Sequence, residues 1–275
     1  MVVVQTEKDK MYLDGYLKNV LDKAKVIIKK DWDMCFLIDG KEREGKSILS
    51  MNCAAYCDPN FNIDKICFTP DELHKVINEA PKYSAVVYDE AFSGLNSRAT
   101  MSMINRTIVQ HLAEVGQKNL FLFVNMPTFF DLDRYVSIHR SRALCHVYHG
   151  ENFERGHFAY YDDDKKKDLY LLGKKFYSYK TPRPNFIGRF TNHYPIDEVE
   201  YRKRKLKALR RRELGSEELS REKEITEYLF SRLLDVDKDN VLTTHEVKAK
   251  ILKMPIATYY LHLRQAREQR PQLTE

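Results

Sequence analysis

Apolar residues in this chain gather into short unbroken runs separated by longer amphipathic stretches. The runs are Met34–Ile38, Lys65–Phe68, Ser84–Tyr88, Leu120–Val124 and Ala143–Tyr148. Each is too short for a core helix and suits a strand buried on both faces. Helical spacing fills the gaps. Residues 11–30 place Leu13, Tyr16, Leu17, Val20, Leu21 and Ala24 on one side, and Ser47–Tyr56 repeats that spacing. Thr69-Pro70-Asp71-Glu72 opens a third helix, with an N-cap, proline at the first helical position and acid in the first turn. Residues 101–116 predict a fourth, ending at Gly116. Strands alternating with helices imply an α/β fold around a mainly parallel sheet. After residue 150 the pattern changes. Gly156–Tyr161 and Leu169–Leu172 predict short β segments around the polar turn Asp162–Asp168, a hairpin appended to the sheet. Residues 181–197 have loop chemistry and predict a surface strap. A long basic helix is expected over roughly 196–213, and Gly215-Ser216 marks a boundary. The expected organisation is a core over 1–195, a basic helix and linker over 196–215, and a small all-α unit over 216–275.

The first strand runs into Gly40-Lys41-Glu42-Arg43-Glu44-Gly45-Lys46-Ser47, followed by Ile48 at the start of a helix. This is G-x-x-x-x-G-K-S between a strand and a helix, the context that gives the motif meaning. Its glycines let backbone N–H groups turn inward around phosphate oxygens, aided by the helix dipole. Gly40 to Ile48 are the candidate nucleotide-binding residues, expected to use ATP and Mg2+. Lys46 would reach the β- and γ-phosphates, and the Ser47 hydroxyl would ligate Mg2+. The charged interior Glu42-Arg43-Glu44 is expected to point to solvent while the backbone binds.

A second motif follows. Ser84–Tyr88 ends in Asp89-Glu90, a Walker B pattern. Asp89 would hold Mg2+ and Glu90 would activate the attacking water. Both motifs belong at the carboxyl edge of one parallel sheet. Leu120–Val124 ends in Asn125, a polar tip expected to sense the γ-phosphate. Its bland alternative is a strand-end Asn capping a turn. Trp32 has two readings, a cover for the adenine and, preferred, packing under the sheet.

Charge changes the picture mainly by its placement. Of the 275 residues, 31% are charged, and the net charge is +6. The basic residues concentrate in Arg202–Lys207 and Arg210–Arg212. Such runs are usually solvated helix faces; the sharper reading is contact with a nucleic-acid backbone through Arg202, Lys203 and Arg204. The cysteines Cys35, Cys53, Cys57, Cys67 and Cys145 read as reduced thiols of a cytoplasmic protein. No apolar run reaches membrane-spanning length, and no signal peptide is expected.

Beyond Gly215, helical patterns over 217–234 and after Thr243-Thr244-His245-Glu246, a capping box, lead to the turn Lys253-Met254-Pro255 and a last helix. Helix, turn, helix in this order predicts a helix-turn-helix domain. Its last helix would offer Thr258, Tyr259, His262, Arg264 and Arg267 to a major groove. Asp235 to Glu246 also fits an EF-hand loop except for its missing glycine. It is a lone copy, and calcium is the less favoured reading there.

With these motifs placed, the core resembles the FtsK–HerA superfamily of DNA-pumping ATPases, nearest its zonula occludens toxin-like and viral or plasmid branches. The resemblance rests on Gly40–Ser47, on Val86–Ala91, and on Gly116–Pro127 with its glycine, apolar strand, polar tip and proline. Asn125 stands where the family usually has Gln. The resemblance covers roughly 30–180 and implies a RecA-like P-loop core, a homo-oligomeric and possibly hexameric ring, and duplex DNA as partner. It also implies an arginine finger supplied by the neighbouring subunit. Arg98, Arg106, Arg140 and Arg142 are candidates, with Arg140 and Arg142 preferred. The expected function is an ATP-hydrolysing DNA motor of the translocation or packaging type, belonging to a mobile element or virus and working in the host cytoplasm if viral. Two alternatives are an AAA+-like replication initiator or helicase loader, and an ATP-dependent DNA-binding switch.

Overall fold

The computed structural model describes residues 2–5, 10–89, 118–210, 244–251, 255–260 and 264. The chain divides into two compact units, Met1–Leu209 and Arg210–Glu275.

The first unit is built on a seven-stranded sheet. Its strands are β3 (Met34–Asp39), β4 (Ile66–Cys67), β5 (Ala85–Asp89), β6 (Phe121–Asn125), β7 (Ala143–Tyr148), β8 (His157–Tyr161) and β9 (Phe186–Arg189). They lie in the order β4-β5-β6-β3-β7-β8-β9. The pairings from β4 to β7 are parallel, and those of β8 with β7 and with β9 are antiparallel. The apolar runs form the parallel strands because both faces are covered. Every residue of β3, β5 and β6 is buried. Alternate side chains enter two separate cores. Phe36, Ile38, Val87, Phe121 and Phe123 pack with helices α1 (Gly15–Ile27) and α2 (Lys46–Cys57). Cys35, Leu37, Val86, Tyr88, Leu122 and Val124 pack with α3 (Pro70–Glu79) and α4 (Asp163–Gly173). The result is a three-layer α/β unit with a mostly parallel central sheet, compatible with a RecA-like core. All five cysteines are free thiols in these cores. No helix among the described residues is long and apolar enough to cross a membrane.

The structure departs from several expectations. Residues 10–13 are strand β2, paired antiparallel with β1 (Val2–Gln5), and α1 begins only after Asp14. The Asp14 carboxylate accepts from Tyr16 N and Leu17 N, so this capping side chain sets the helix start. The expected hairpin turn and second β segment within 162–172 are instead α4. Asp162 accepts from Lys165 N as N-cap, and Asp163 and Asp164 supply first-turn acid. Lys166 then turns inward with no exposed surface, donating to Ser141 O, to Ser141 Oγ at 2.9 Å and to Asp163 at 2.9 Å. Burial pulls its ammonium below the ordinary lysine range, an effect moderated by Asp163. Leu169 and Tyr170 face the core, so a charged run conceals a helix with one buried side. The strand that pairs with the outer side of β8 is β9, which lies inside the expected strap. Trp32 is 49% exposed, with the Arg142 guanidinium 4.8 Å from its ring centroid, rather than packed under the sheet.

A further helix, α5, spans residues 198–210. Tyr201 and Ala208 bury its inner side in the same core as α1 and α2. In the second unit, α6 (His245–Ile251) starts at Thr244, whose hydroxyl accepts from Val247 N at 3.4 Å. Residues 256–260 are helical.

Candidate nucleotide site at the carboxyl edge of the sheet

Parallel pairing brings the carboxyl ends of β3, β5, β6 and β7 to one edge. Asp89 stands opposite Asn125, Asn125 opposite Ile38, and Asp39 opposite His146. The loop from Gly40 to Gly45 leaves β3 here and enters α2. Gly40 has φ 140° and Gly45 has φ 105°, values that suit glycine. A Cβ at Gly40 would stand 2.2 Å from Val147 O, so β7 backs the loop too closely for any side chain. Arg43 also takes a positive φ, 65°.

Within this loop Lys46 curls back, its Nζ donating to Gly40 O at 2.5 Å and Lys41 O at 2.6 Å. Burial lowers its pKa, while Asp39, Glu44 and Asp89 pull the other way. Glu44 corrects the expectation of solvent-facing interior residues, being only 6% exposed. One of its oxygens accepts from Lys41 N at 2.7 Å, and the other meets His149 Nδ1 at 2.8 Å. Lys41, Glu42 and Arg43 are exposed. Glu44 therefore braces the loop from within and ties it to the segment after β7.

Behind the loop, α2 packs on β5 and β6 and brings two serines to the strand ends. Ser47 Oγ donates to Asp89 Oδ1 at 3.0 Å. Asn125 Nδ2 donates to Asp89 Oδ1 and to Ser50 Oγ, each at 3.0 Å. Asn125 Oδ1 is buried and has no hydrogen-bond partner among the described residues. Asp39 makes a second buried knot beneath the loop. It accepts from Phe129 N at 2.9 Å and from the Tyr179 hydroxyl, and meets His146 Nδ1 at 2.9 Å. This anchors the segment after β6 to the strand that carries the loop.

The residues that sequence reasoning missed come from α5. Tyr201 OH donates to Asp89 Oδ2 at 2.5 Å. Lys205 Nζ donates to the same oxygen at 2.9 Å, to Ser47 Oγ at 3.3 Å and to Tyr201 OH at 3.1 Å. Burial alone would raise the Asp89 pKa. The Lys205 charge, with hydrogen bonds from Tyr201 and Asn125, holds it below the ordinary carboxylate value. Tyr201 and Lys205 share one face of α5 with Ala208, a spacing that predicts a buried stripe. Nothing in that spacing names Asp89 as the target.

The donor set suits a hard divalent cation. A hydroxyl and an ionised carboxylate lie within hydrogen-bond reach of each other, and the ammonium on both shows that the pair attracts positive charge. Ser47 and Asp89 would hold Mg2+, and the Gly40–Lys46 backbone with the Lys46 ammonium would hold the phosphates of a nucleotide.

Other sequence candidates lie elsewhere. Arg140 and Arg142 sit at the amino edge, where their own chain's loop is out of reach. Arg140 pairs with Asp33 at 2.9 Å, and Arg142 lies on Trp32. Arg202 pairs with Glu198 at 2.5 Å, and Arg204 pairs with Asp64 and Glu200 at 2.9 Å. Lys203 is exposed. In the second unit Tyr259 is fully buried beside His245, with ring centroids 5.6 Å apart, so its side chain is not presented to a nucleic acid. Thr258 is half-buried and Arg264 exposed. Glu90, Arg98, Arg106, His262, Arg267 and most of the Asp235–Glu246 loop lie outside the described residues.

No family model matches the chain, and no curated protein matches it. Among solved structures, a DNA polymerase III gamma subunit-related protein from Thermotoga maritima overlaps 48% of this chain and 47% of its own, at 15% identity and TM-score 0.33. That overlap is too slight to carry a functional argument.

Proposed function

We propose that the chain is a Mg2+-dependent ATPase that acts on DNA, of the translocating or packaging type. The observation that supports this most is the meeting of Ser47, Asp89 and Asn125 beside the Lys46 loop, three residues from three separate elements joined by 3.0 Å hydrogen bonds. Mg2+ bound with ATP supplies charge neutralisation at the β- and γ-phosphates. The chain's own residues do the rest. The glycine loop offers backbone N–H groups, and Lys46 exchanges its carbonyl acceptors for phosphate oxygens. Asn125 has a buried carbonyl oxygen without a hydrogen-bond partner among the described residues, which suits a residue that orients the nucleophile through a water molecule. Glu90, next after Asp89 in sequence, is the proposed base. Arg140 or Arg142 would serve only as a finger for a neighbouring subunit in a ring. DNA contact is assigned to Arg202, Lys203 and Arg204 of α5 and to the second unit, through Thr258, His262, Arg264 and Arg267.

The AAA+-like alternative needs an arginine-bearing helical lid straight after β7, where the chain instead forms strand β8. The first helix after β8, α4, carries no arginine and is packed in the core. ATP turnover measured with and without duplex DNA tests the proposal. Stimulation by DNA, weakening as salt rises, is the expected result. Turnover indifferent to DNA, without salt-sensitive DNA binding, would sink it.

A further inference from the structure

Helix α5 is predicted from its charge to face outward, yet it sends one lysine inward to the two side chains that would hold the metal. Lys205 is the member of the basic run whose ammonium reaches Asp89 and Ser47, at 2.9 and 3.3 Å. Its side chain is 30% exposed, whereas that of Asp89 is 4% exposed. Tyr201, one turn earlier, uses the same Asp89 oxygen. Beyond that carboxylate, α5 is held through Ala208, the half-exposed pair of Arg204 with Asp64 at 2.9 Å, and the contact of Tyr201 with Phe68 and Tyr194, ring centroids 5.8 and 5.9 Å away.

We propose that Lys205 is a built-in cation of the metal site, and that α5 is a latch which Mg2+ with nucleotide opens by displacing it. The inference rests on the nucleotide reading of the Gly40–Ser47 loop. Its physical basis is competition. An ammonium and a divalent ion cannot both occupy the oxygen of Asp89 and the hydroxyl of Ser47, because each needs the same lone pairs and they repel one another. Metal binding therefore detaches Lys205 and removes the acceptor of Tyr201 together. Linkage makes the effect reciprocal: whatever holds α5 down weakens metal binding by the same factor. Nucleotide without metal has no such effect, since its phosphates attract the lysine. The basic helix assigned to DNA is thus held against the ATPase unit until the site is loaded.

The test uses the full chain and a β,γ-imido analogue of ATP. Hydrogen exchange of the backbone amides over 198–210 should quicken about tenfold with analogue plus Mg2+ and stay slow with analogue plus chelator. In parallel, the Mg2+ concentration giving half-maximal analogue binding should fall about fivefold in Lys205→Met, less in Tyr201→Phe, and return toward the wild-type value in Lys205→Arg. Analogue binding with unchanged exchange over 198–210 would overturn the release. An unchanged Mg2+ midpoint in a Lys205→Met protein that still binds analogue would overturn the competition. If the wild type binds no analogue under any condition, the nucleotide reading falls and the latch with it.

Discussion

The two edges of the central sheet each bury a carboxylate and answer it with a cation, yet they are built for different ends. At the amino edge Asp33 meets Arg140 at 2.9 Å, with side-chain exposures of 9% and 17%. Both residues are carried by segments that enter neighbouring strands, β3 and β7. Lys166 closes the same edge by binding Ser141. At the carboxyl edge Asp89 meets Lys205, whose side chain is 30% exposed and comes from a helix remote in sequence. The first pair is locked into the sheet's own framework. The second joins the sheet to helix α5 and shares its carboxylate with a serine, an asparagine and a tyrosine. A buried ion pair is weak evidence for stability by itself. On the latch proposed above, what distinguishes these two is whether the cation can leave without unmaking the fold.

Four substitutions would break or sharpen this contrast. Asp89→Ala should have the largest effect, lowering ATP turnover about a thousandfold, roughly 4 kcal/mol, through loss of metal charge stabilisation. Its thermal stability should fall by only about 1–2 kcal/mol, less than for Asp33→Ala, since Lys205 can turn to solvent while the buried Tyr201 hydroxyl and Asn125 amide each lose an acceptor, and comparing calorimetry with turnover checks both halves. Asp33→Ala should do the reverse. It leaves Arg140 without its buried partner and should cost about 3 kcal/mol in urea unfolding, while ATP affinity is retained. If Asp33→Ala instead abolished ATP binding with little loss of stability, the two edges would have exchanged roles. Asn125→Ala should lower kcat by about a hundredfold with a smaller change in ATP affinity, provided it orients water. Equal loss in both would make it a strand-end cap. Trp32→Ala removes the surface on which Arg142 rests and should cost about 0.5–1 kcal/mol with no change in turnover.

How far these features are legible in the sequence depends on the range of the interactions that make them. Met34–Ile38 and Leu120–Val124 announce buried strands because every position in them is apolar. Thr69 announces α3 because the cap acts three residues away, accepting from Glu72 N at 3.2 Å. The Gly40–Ser47 loop and Asp89 are legible for the same reason: a local backbone and a strand-end acid carry their own signature. α4 is hidden in the sequence because its first residues are all charged, and the burial of Lys166 depends on Ser141, 25 positions earlier. The inward turn of Glu44 is hidden because its partner His149 lies beyond β7.

By itself, then, the sequence determined the strand–loop–helix around Gly40–Ser47, the acid that follows on a parallel strand, and the alternating pattern that makes one sheet of them. Hydrophobic period, glycine dihedrals and helix caps act within a few residues, so they can be read in order. Only the tertiary structure decided which strand lies beside which, and so placed Asn125 against Asp89 across β5 and β6. It also decided that Lys205, one cation in a basic run, turns to the same carboxylate from 116 residues away. Charge on a helix shows that it can attract an opposite charge; only the packing of Tyr201 and Ala208 in the core selects which one it meets.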